Sequence, residues 1–346
     1  MTMLCARIKK HGGLDQIHME QIDEPQPGPG EVRVRLQAAA LNHLDLWVRK
    51  GVPGHRFPLP MIPGCDGAGI VDAVGPSVSK DHIDREVVLA PGVACGHCRR
   101  CLSGHDMLCP QYGILGETRN GTCAEAIVVP EAQLLSRPNG ISWEECAAFP
   151  LSALTAWSML QKAQLCRGET ILVIAGASGV GSMAIQMGVL FGARVIATGS
   201  NEQKRSLARD LGATETIDSK DPDWWKPLRQ MTAGEGPDVV FENVGSDTWE
   251  GSTRSLAKGG RIVTCGATSG SQVSIELKRL FFKNQQIIGS TMGKRTDLIR
   301  LLELQQNGQL RSVIDSVHPL KNLQQAHQRM EQRQSAGKIV IRMPGS

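Results

Sequence analysis

Aromatic side chains, blocks of like charge and long apolar runs are all scarce in this 346-residue chain. Aromatics make up 4% and the formal charge is +4. No segment approaches the length and apolarity of a membrane span, which argues against a partner role for a bilayer. The opening MTMLCARIKKHGG has no apolar core followed by a small-residue cleavage site, so no secretory leader is expected and the cytoplasm is the expected compartment. Charges fall in mixed-sign stretches such as Asn201 to Arg205, without the basic block or aromatic–basic alternation that nucleic acid demands. A small-molecule partner is expected instead. The single tyrosine, Tyr112, has Gly116 four residues later, which excludes a Tyr-x-x-x-Lys acid pair.

Cysteine, by contrast, is plentiful, and four of the ten stand at Cys95, Cys98, Cys101 and Cys109 in a stretch rich in Gly, His and Arg. Thiolates crowded together repel one another and gain little from burial, so such a cluster is best satisfied by a tetrahedral divalent metal, most often zinc. Two disulfides or an iron–sulfur cluster are the alternatives. Nothing points to an oxidising compartment, and a lone loop suits a closed, structural four-cysteine zinc lobe. His97 and His105, inside the lobe, read as solvated.

A chain of this length usually divides once, and 41% hydrophobic residues suffice for two cores. Up to about residue 150 the pattern is one of short strands and turns. Pro27-Gly28-Pro29-Gly30 is a turn, Val32, Val34 and Leu36 alternate with charged residues, and short apolar runs follow at 69–74, 87–90 and 126–129. The second half reads differently. Ile171 to Ala175 is a continuous apolar run of the kind that fills a parallel strand covered on both faces, and it enters Gly176-Ala177-Ser178-Gly179-Val180-Gly181. Val180, Ala184, Met187 and Phe191 then recur at helical spacing before Gly192, and Arg194 to Ala197 supplies the next strand. Further strands are expected at 216–218, 238–241, 261–265 and 286–290, giving six parallel strands in a doubly wound sheet.

The glycine-rich turn has a chemical reading, because phosphate oxygens need unpaired backbone N–H groups and a turn without bulky side chains brings pyrophosphate to a helix N-terminus. The strand before it and the helix and strand after it make a dinucleotide site the expectation. At the end of the second strand, where an acid would bind the 2′-hydroxyl of NAD, the chain has Thr198-Gly199-Ser200-Asn201. NADP(H) is therefore favoured over NAD(H), with Ser200, Lys204 and Arg205 as phosphate ligands and Ser200 and Gln203 as a capping box. The competing reading of Lys204 and Arg205 is a solvated helix face.

Several motifs together resemble the zinc-containing medium-chain dehydrogenase/reductase superfamily, in the branch of quinone oxidoreductases and alcohol dehydrogenase-like proteins. They are Ala40-Leu41-Asn42-His43-Leu44-Asp45, Pro63 to Val71, the cysteine lobe, Pro150 to Ala156, the glycine turn and Glu242-Asn243-Val244-Gly245. The resemblance implies an α/β fold: a GroES-like β-rich catalytic domain over 1–150 with the zinc lobe at about 92–112, a Rossmann cofactor domain over 151–292, and a return segment over 293–346. It also implies an active site in the cleft between them, a homodimer, and a nicotinamide lined by Thr155, Asn243, Val244, Gly266, Ala267, Ser290, Thr291 and Met292.

One departure matters. Zinc alcohol dehydrogenases hold a second, catalytic zinc through a Cys, a His with an adjacent Glu, and a later Cys or Asp. The corresponding residues here are Asn42, Cys65, Asp66 and, near the last, Leu151; Leu44 replaces the proton-relay hydroxyl. Only Cys65 and Asp66 are good ligands, fewer than the three a catalytic site normally uses, with His43 and Cys123 as conceivable supplements. Without a Lewis acid, unactivated alcohols and ketones are poor substrates. A quinone or α,β-unsaturated carbonyl spreads the charge by conjugation, so donors such as Asn42, a protonated Asp66 or backbone N–H groups suffice. Asp45 reads as a helix cap, and Cys65 equally as a small buried thiol. The expected function is hydride transfer between NADP(H) and a quinone or activated double bond, without catalytic zinc. The alternatives are a zinc alcohol dehydrogenase with a non-standard metal site, and a cofactor-binding sensor without turnover.

Overall fold

The computed structural model of the chain describes residues 1–345, and these form two compact units, 1–151 with 294–345 and 152–293. The first is built on a seven-stranded sheet. Its longest strand, Glu31–Ala40, buries Val32, Val34 and Leu36 on one face. A slip of one residue would expose all three, at about 1.5–3 kcal/mol each, and so the alternation holds the register.

That register positions chemistry. Ala40 pairs antiparallel with Asp66, at the head of Asp66–Val74, and on its other side with Val340 in Lys338–Arg342. Leu41 N–H continues the second ladder to Ile339 O at 2.9 Å. The end of one strand and the beginnings of two others, carrying Asn42, Asp66 and Lys338, therefore meet at one edge of the sheet. The helix His43–Lys50 starts there. The cysteine lobe is inserted between two short paired strands, Gly92–Val93 and Gly113–Ile114.

The second unit holds six parallel strands in the order Glu215–Asp218, Arg194–Gly199, Thr170–Val173, Val239–Glu242, Arg261–Thr264, Gln286–Gly289. Ile171, Leu172, Val173 and Ile174 are buried, as the unbroken apolar run requires. The chain moves outward from Thr170–Val173 in one direction and then crosses to its other side. A ligand crevice is expected at that switch, at the C-terminal ends of the strands.

Candidate functional site

In the lobe, the Sγ atoms of Cys95, Cys98, Cys101 and Cys109 all lie within 4.8 Å of one another. Zinc–sulfur bonds of about 2.3 Å would put sulfurs about 3.8 Å apart in a tetrahedron, which this spacing fits. Backbone N–H groups of Cys98 and Gln111 donate to Cys95 Sγ and Cys109 Sγ at 3.4 and 3.3 Å. Backbone N–H donors from His97 and Cys98 lower the Cys95 thiol to about 6, while desolvation and the neighbouring sulfurs push Cys101 up to about 12, so the four sulfurs do not all ionise without a cation among them. No disulfide occurs among the described residues. His97 and His105 are exposed, and each ring Nδ1 meets a backbone carbonyl, of Cys95 and Ser103 respectively.

At the glycine turn the helix Gly179–Leu190 begins with Ser178, whose Oγ accepts from Gly181 N–H at 3.0 Å and from Asn243 Nδ2 at 3.4 Å. Gly181 has no room for a side chain, since a Cβ would stand 2.3 Å from Ala175 O. Ala175 itself lies in the left-handed region with φ 52°. Gly179 and Val180 N–H have no hydrogen-bond partner among the described residues. These are the orphan donors that a phosphate can take.

Thr198 braces the turn. It is buried, its hydroxyl accepts Ala175 N–H at 2.9 Å and its carbonyl accepts Gly176 N–H at 2.9 Å. Ala177 is buried too. The cap of the next helix, Glu202–Asp210, is Asn201, whose Oδ1 accepts Lys204 N–H at 2.9 Å; the expected Ser200–Gln203 box is displaced by one residue, the asparagine capping Lys204 N–H in place of a serine capping Gln203 N–H. Gly199 ends the strand and Ser200 follows it, and Arg205 is already engaged, with Asp218 at 2.8 Å, Glu202 at 3.1 Å and Gly199 O at 3.2 Å. Arg209, not singled out from sequence, also pairs with Glu202.

The remaining expected nicotinamide residues follow the ends of the next strands. Buried Glu242 accepts Val244 and Gly245 N–H at 2.8 and 3.1 Å and the hydroxyls of Thr248 and Ser252, which fixes the loop carrying Asn243. Gly266 packs so closely that a Cβ would lie 2.8 Å from Asn243 O, and Ala267 follows it. Ser290 is buried with its Oγ 3.4 Å from Ser158 Oγ, Met292 is buried at φ 49°, and Thr291 is exposed. Thr155 is buried on the helix Pro150–Lys162. Burial, with Glu242 beside it, pushes the Cys265 thiol up to about 12, so it is no nucleophile at neutral pH.

Asn42, Cys65 and Asp66 come together in the first unit, with a partner that the sequence did not suggest. Lys338 Nζ donates to Asp66 Oδ2 at 2.8 Å and to Asn42 Oδ1 at 2.6 Å. Asn42 Nδ2 donates to Asp66 Oδ2 at 2.8 Å and to Cys65 Sγ at 3.1 Å, and Leu151 contributes its backbone N–H, 2.9 Å from Asp66 Oδ1. Asp66 is 0% and Lys338 5% exposed. All three donors around its side chain require Asp66 to accept, so the protonated, hydrogen-bond-donating Asp66 expected above is corrected: the carboxylate is half of a buried ion pair. Burial, together with Asp66 and Asp45, holds the Cys65 thiol well above its ordinary range. Asp45 caps through its carboxylate, which accepts Asn42 N–H and Gly64 N–H, both at 2.7 Å. Asn42's own side chain is turned to the ion pair.

A catalytic metal does not fit this cluster. Its place as counter-charge to Asp66 is filled by an ammonium, and among the described residues the lobe cysteines are the one group of three or more metal-ligating side chains brought together. Cys123 is buried and belongs to the hydrophobic core, and His43 is exposed. One signal could have found Lys338: it is a charged residue heading the otherwise apolar run Ile339-Val340-Ile341.

Comparison with known proteins agrees with this anatomy. Residues 28–139 match the alcohol dehydrogenase GroES-like domain and residues 179–307 the zinc-binding dehydrogenase domain. A zinc-type alcohol dehydrogenase-like protein of Schizosaccharomyces pombe is 33% identical, covering 96% of both chains. A quinone oxidoreductase of Pseudomonas aeruginosa is 31% identical over 96% of this chain and 97% of its own. The crystal structure of an NAD-dependent alcohol dehydrogenase, 45% identical, superposes with a TM-score of 0.94 over 98% of this chain and 99% of its own.

Proposed function

The chain belongs to the zinc-type alcohol dehydrogenase-like branch of the medium-chain dehydrogenase/reductase superfamily and is an NAD(P)-dependent oxidoreductase, and on that premise we propose that it uses NADP(H) to reduce a quinone or another conjugated carbonyl without a catalytic metal. The observation that carries this reading is the Asp66–Lys338 ion pair, in which the acid matched by motif to a metal site is held by a cation of the chain itself. Bound nicotinamide supplies the hydride. What the chain contributes is orientation of the cofactor and hydrogen bonds to the acceptor. A conjugated acceptor needs no stronger electrophile, because its own π system shares the charge.

NADP(H) is supported by the absence of an acid over 198–201 and by Lys204 and Arg205 on the following helix. Phosphate would displace Asp218 or Glu202 from Arg205, so the preference is set by an exchange of partners. The four-cysteine lobe is proposed to hold one structural zinc, and the reduced thiols suit the cytoplasm. No helix of the described residues is long and apolar enough to cross a membrane. A homodimer is supported by the edge strand Gln286–Gly289 and by exposed Leu277, Phe281 and Phe282 beside it in sequence; light scattering that gives the mass of one chain would remove this assignment.

The similarity to an NAD-dependent alcohol dehydrogenase favours a second reading, oxidation of a simple alcohol at a non-standard zinc site. Steady-state assays separate the two. The proposal expects turnover of quinones and enones with NADPH and none of simple alcohols with NADP or NAD; alcohol oxidation that tracks added zinc would replace it with the second reading.

A further inference from the structure

Glu242 is 0% exposed, and every hydrogen-bond partner it has among the described residues is neutral. Val244 and Gly245 N–H donate to Oε1 at 2.8 and 3.1 Å, and the hydroxyls of Thr248 and Ser252 donate to Oε2 at 3.0 and 2.7 Å. The Ser252 hydroxyl has no other acceptor among the described residues, so Oε2 accepts and the carboxyl is ionised. A buried carboxylate ordinarily finds a cation or takes up a proton. Asp66 has Lys338, and the Asp45 carboxyl is pushed up to about 6. Glu242 has neither remedy and keeps one negative charge inside the unit 152–293.

That charge ends the strand Val239–Glu242, which lies beside Thr170–Val173 on the side away from Arg194–Gly199. A dinucleotide with its pyrophosphate at the glycine turn has its adenosine half over Arg194–Gly199, where the 2′-position is read, and its nicotinamide half on the other side. The loop after Glu242 reaches the turn, with Asn243 Nδ2 donating to Ser178 Oγ at 3.4 Å. The field of the charge also extends to the end of the neighbouring strand, since after burial it is Glu242 that raises the Cys265 thiol.

We propose that Glu242 is a positioning residue for the nicotinamide end of the cofactor, and that its buried charge favours the oxidised ring over the reduced one. This rests on the reading of the glycine turn as the dinucleotide site. Oxidised nicotinamide carries one positive charge on its ring; the reduced ring, which holds one more hydride, carries none. Glu242 fixes the loop through Val244 and Gly245 and attracts only the charged ring, through an interior that screens it little. Tighter binding of the oxidised form lowers the potential of the bound couple and so favours hydride donation. In that step the hydride pair forms a bond to the acceptor, which is reduced by two electrons and takes a proton from water. The nicotinamide is oxidised by two electrons, and Glu242 stabilises the positive charge that results.

The test is calorimetric titration of the full chain with NADP and NADPH, and with NAD and NADH, in wild type and Glu242→Gln. Glutamine keeps the shape, because its amide oxygen can accept the two backbone N–H groups and its amide nitrogen can donate to the Ser252 hydroxyl. The dissociation constant of the oxidised form is expected to rise about tenfold relative to that of the reduced form, which raises the potential of the bound couple by about 30 mV. Should that variant fail to fold, Glu242→Met with Thr248→Val and Ser252→Ala replaces the carboxylate and both hydroxyls together by apolar groups, and the same ratio is read. An unchanged ratio in the folded variant, whether both forms lose affinity equally or neither does, would overturn the role of the charge. Wild-type protein that binds neither form of either nucleotide would overturn the dinucleotide reading of the turn instead.

Discussion

Asp45 and Asp66 are both buried near the same strand ends, and the protein keeps them by different means. Asp66 has a cation. Asp45 has the N–H groups of Asn42 and Gly64 and the more distant charge of Lys338, which offset part of its desolvation, and burial pushes its carboxyl up from 3.8 to about 6. A raised acid binds its proton more tightly in the folded chain, so the stability it contributes is present below about pH 4 and is lost as pH rises through about 6. The stability of wild type relative to Asp45→Asn should therefore fall by up to roughly 3 kcal/mol between pH 4 and 7. Denaturant midpoints at a series of pH values check this, and a pH-independent difference would contradict it. Asn42, Cys65 and Asp66 were readable from motif positions, whereas Lys338 was not. It stands 272 residues from Asp66 in the chain, and only the pairing of Ala40 with both neighbouring strands brings the two into contact.

The strand–turn–helix units were the most readable part of the chain. Period-two alternation marked Glu31–Ala40, and the unbroken apolar run marked Thr170–Val173, because those patterns follow from which faces are buried. What failed was local competition between similar residues. Asn201 and Ser200 can both cap a helix, and the asparagine does so; no local pattern showed that Thr198 accepts Ala175 N–H and so braces the turn. Arg205 and its partners set the cofactor prediction. Replacing Lys204 and Arg205 with alanine should weaken NADPH about tenfold or more and NADH much less, since only the former offers a 2′-phosphate. Equal losses, measured by fluorescence titration, would assign both side chains to the helix surface and its pairing with Asp218 and Glu202.

In the chain as a whole, the half-buried lobe and the buried Asp66 cluster answer the same problem, concentrated charge, in opposite ways. Four sulfurs within 4.8 Å call for an external cation, and Asp66 has been given an internal one. Spacing along the chain announced the first, because all four cysteines sit within one loop. The second depends on three segments joined only by sheet register, which no local pattern encodes. The difference has a direct readout: zinc per chain, by elemental mass spectrometry, on protein dialysed against excess zinc and then freed of loosely bound metal. One zinc per chain, lost along with stability in Cys98→Ser, is the expected result. Two per chain would mean that a metal displaces Lys338 from Asp66, and would contradict the metal-free site.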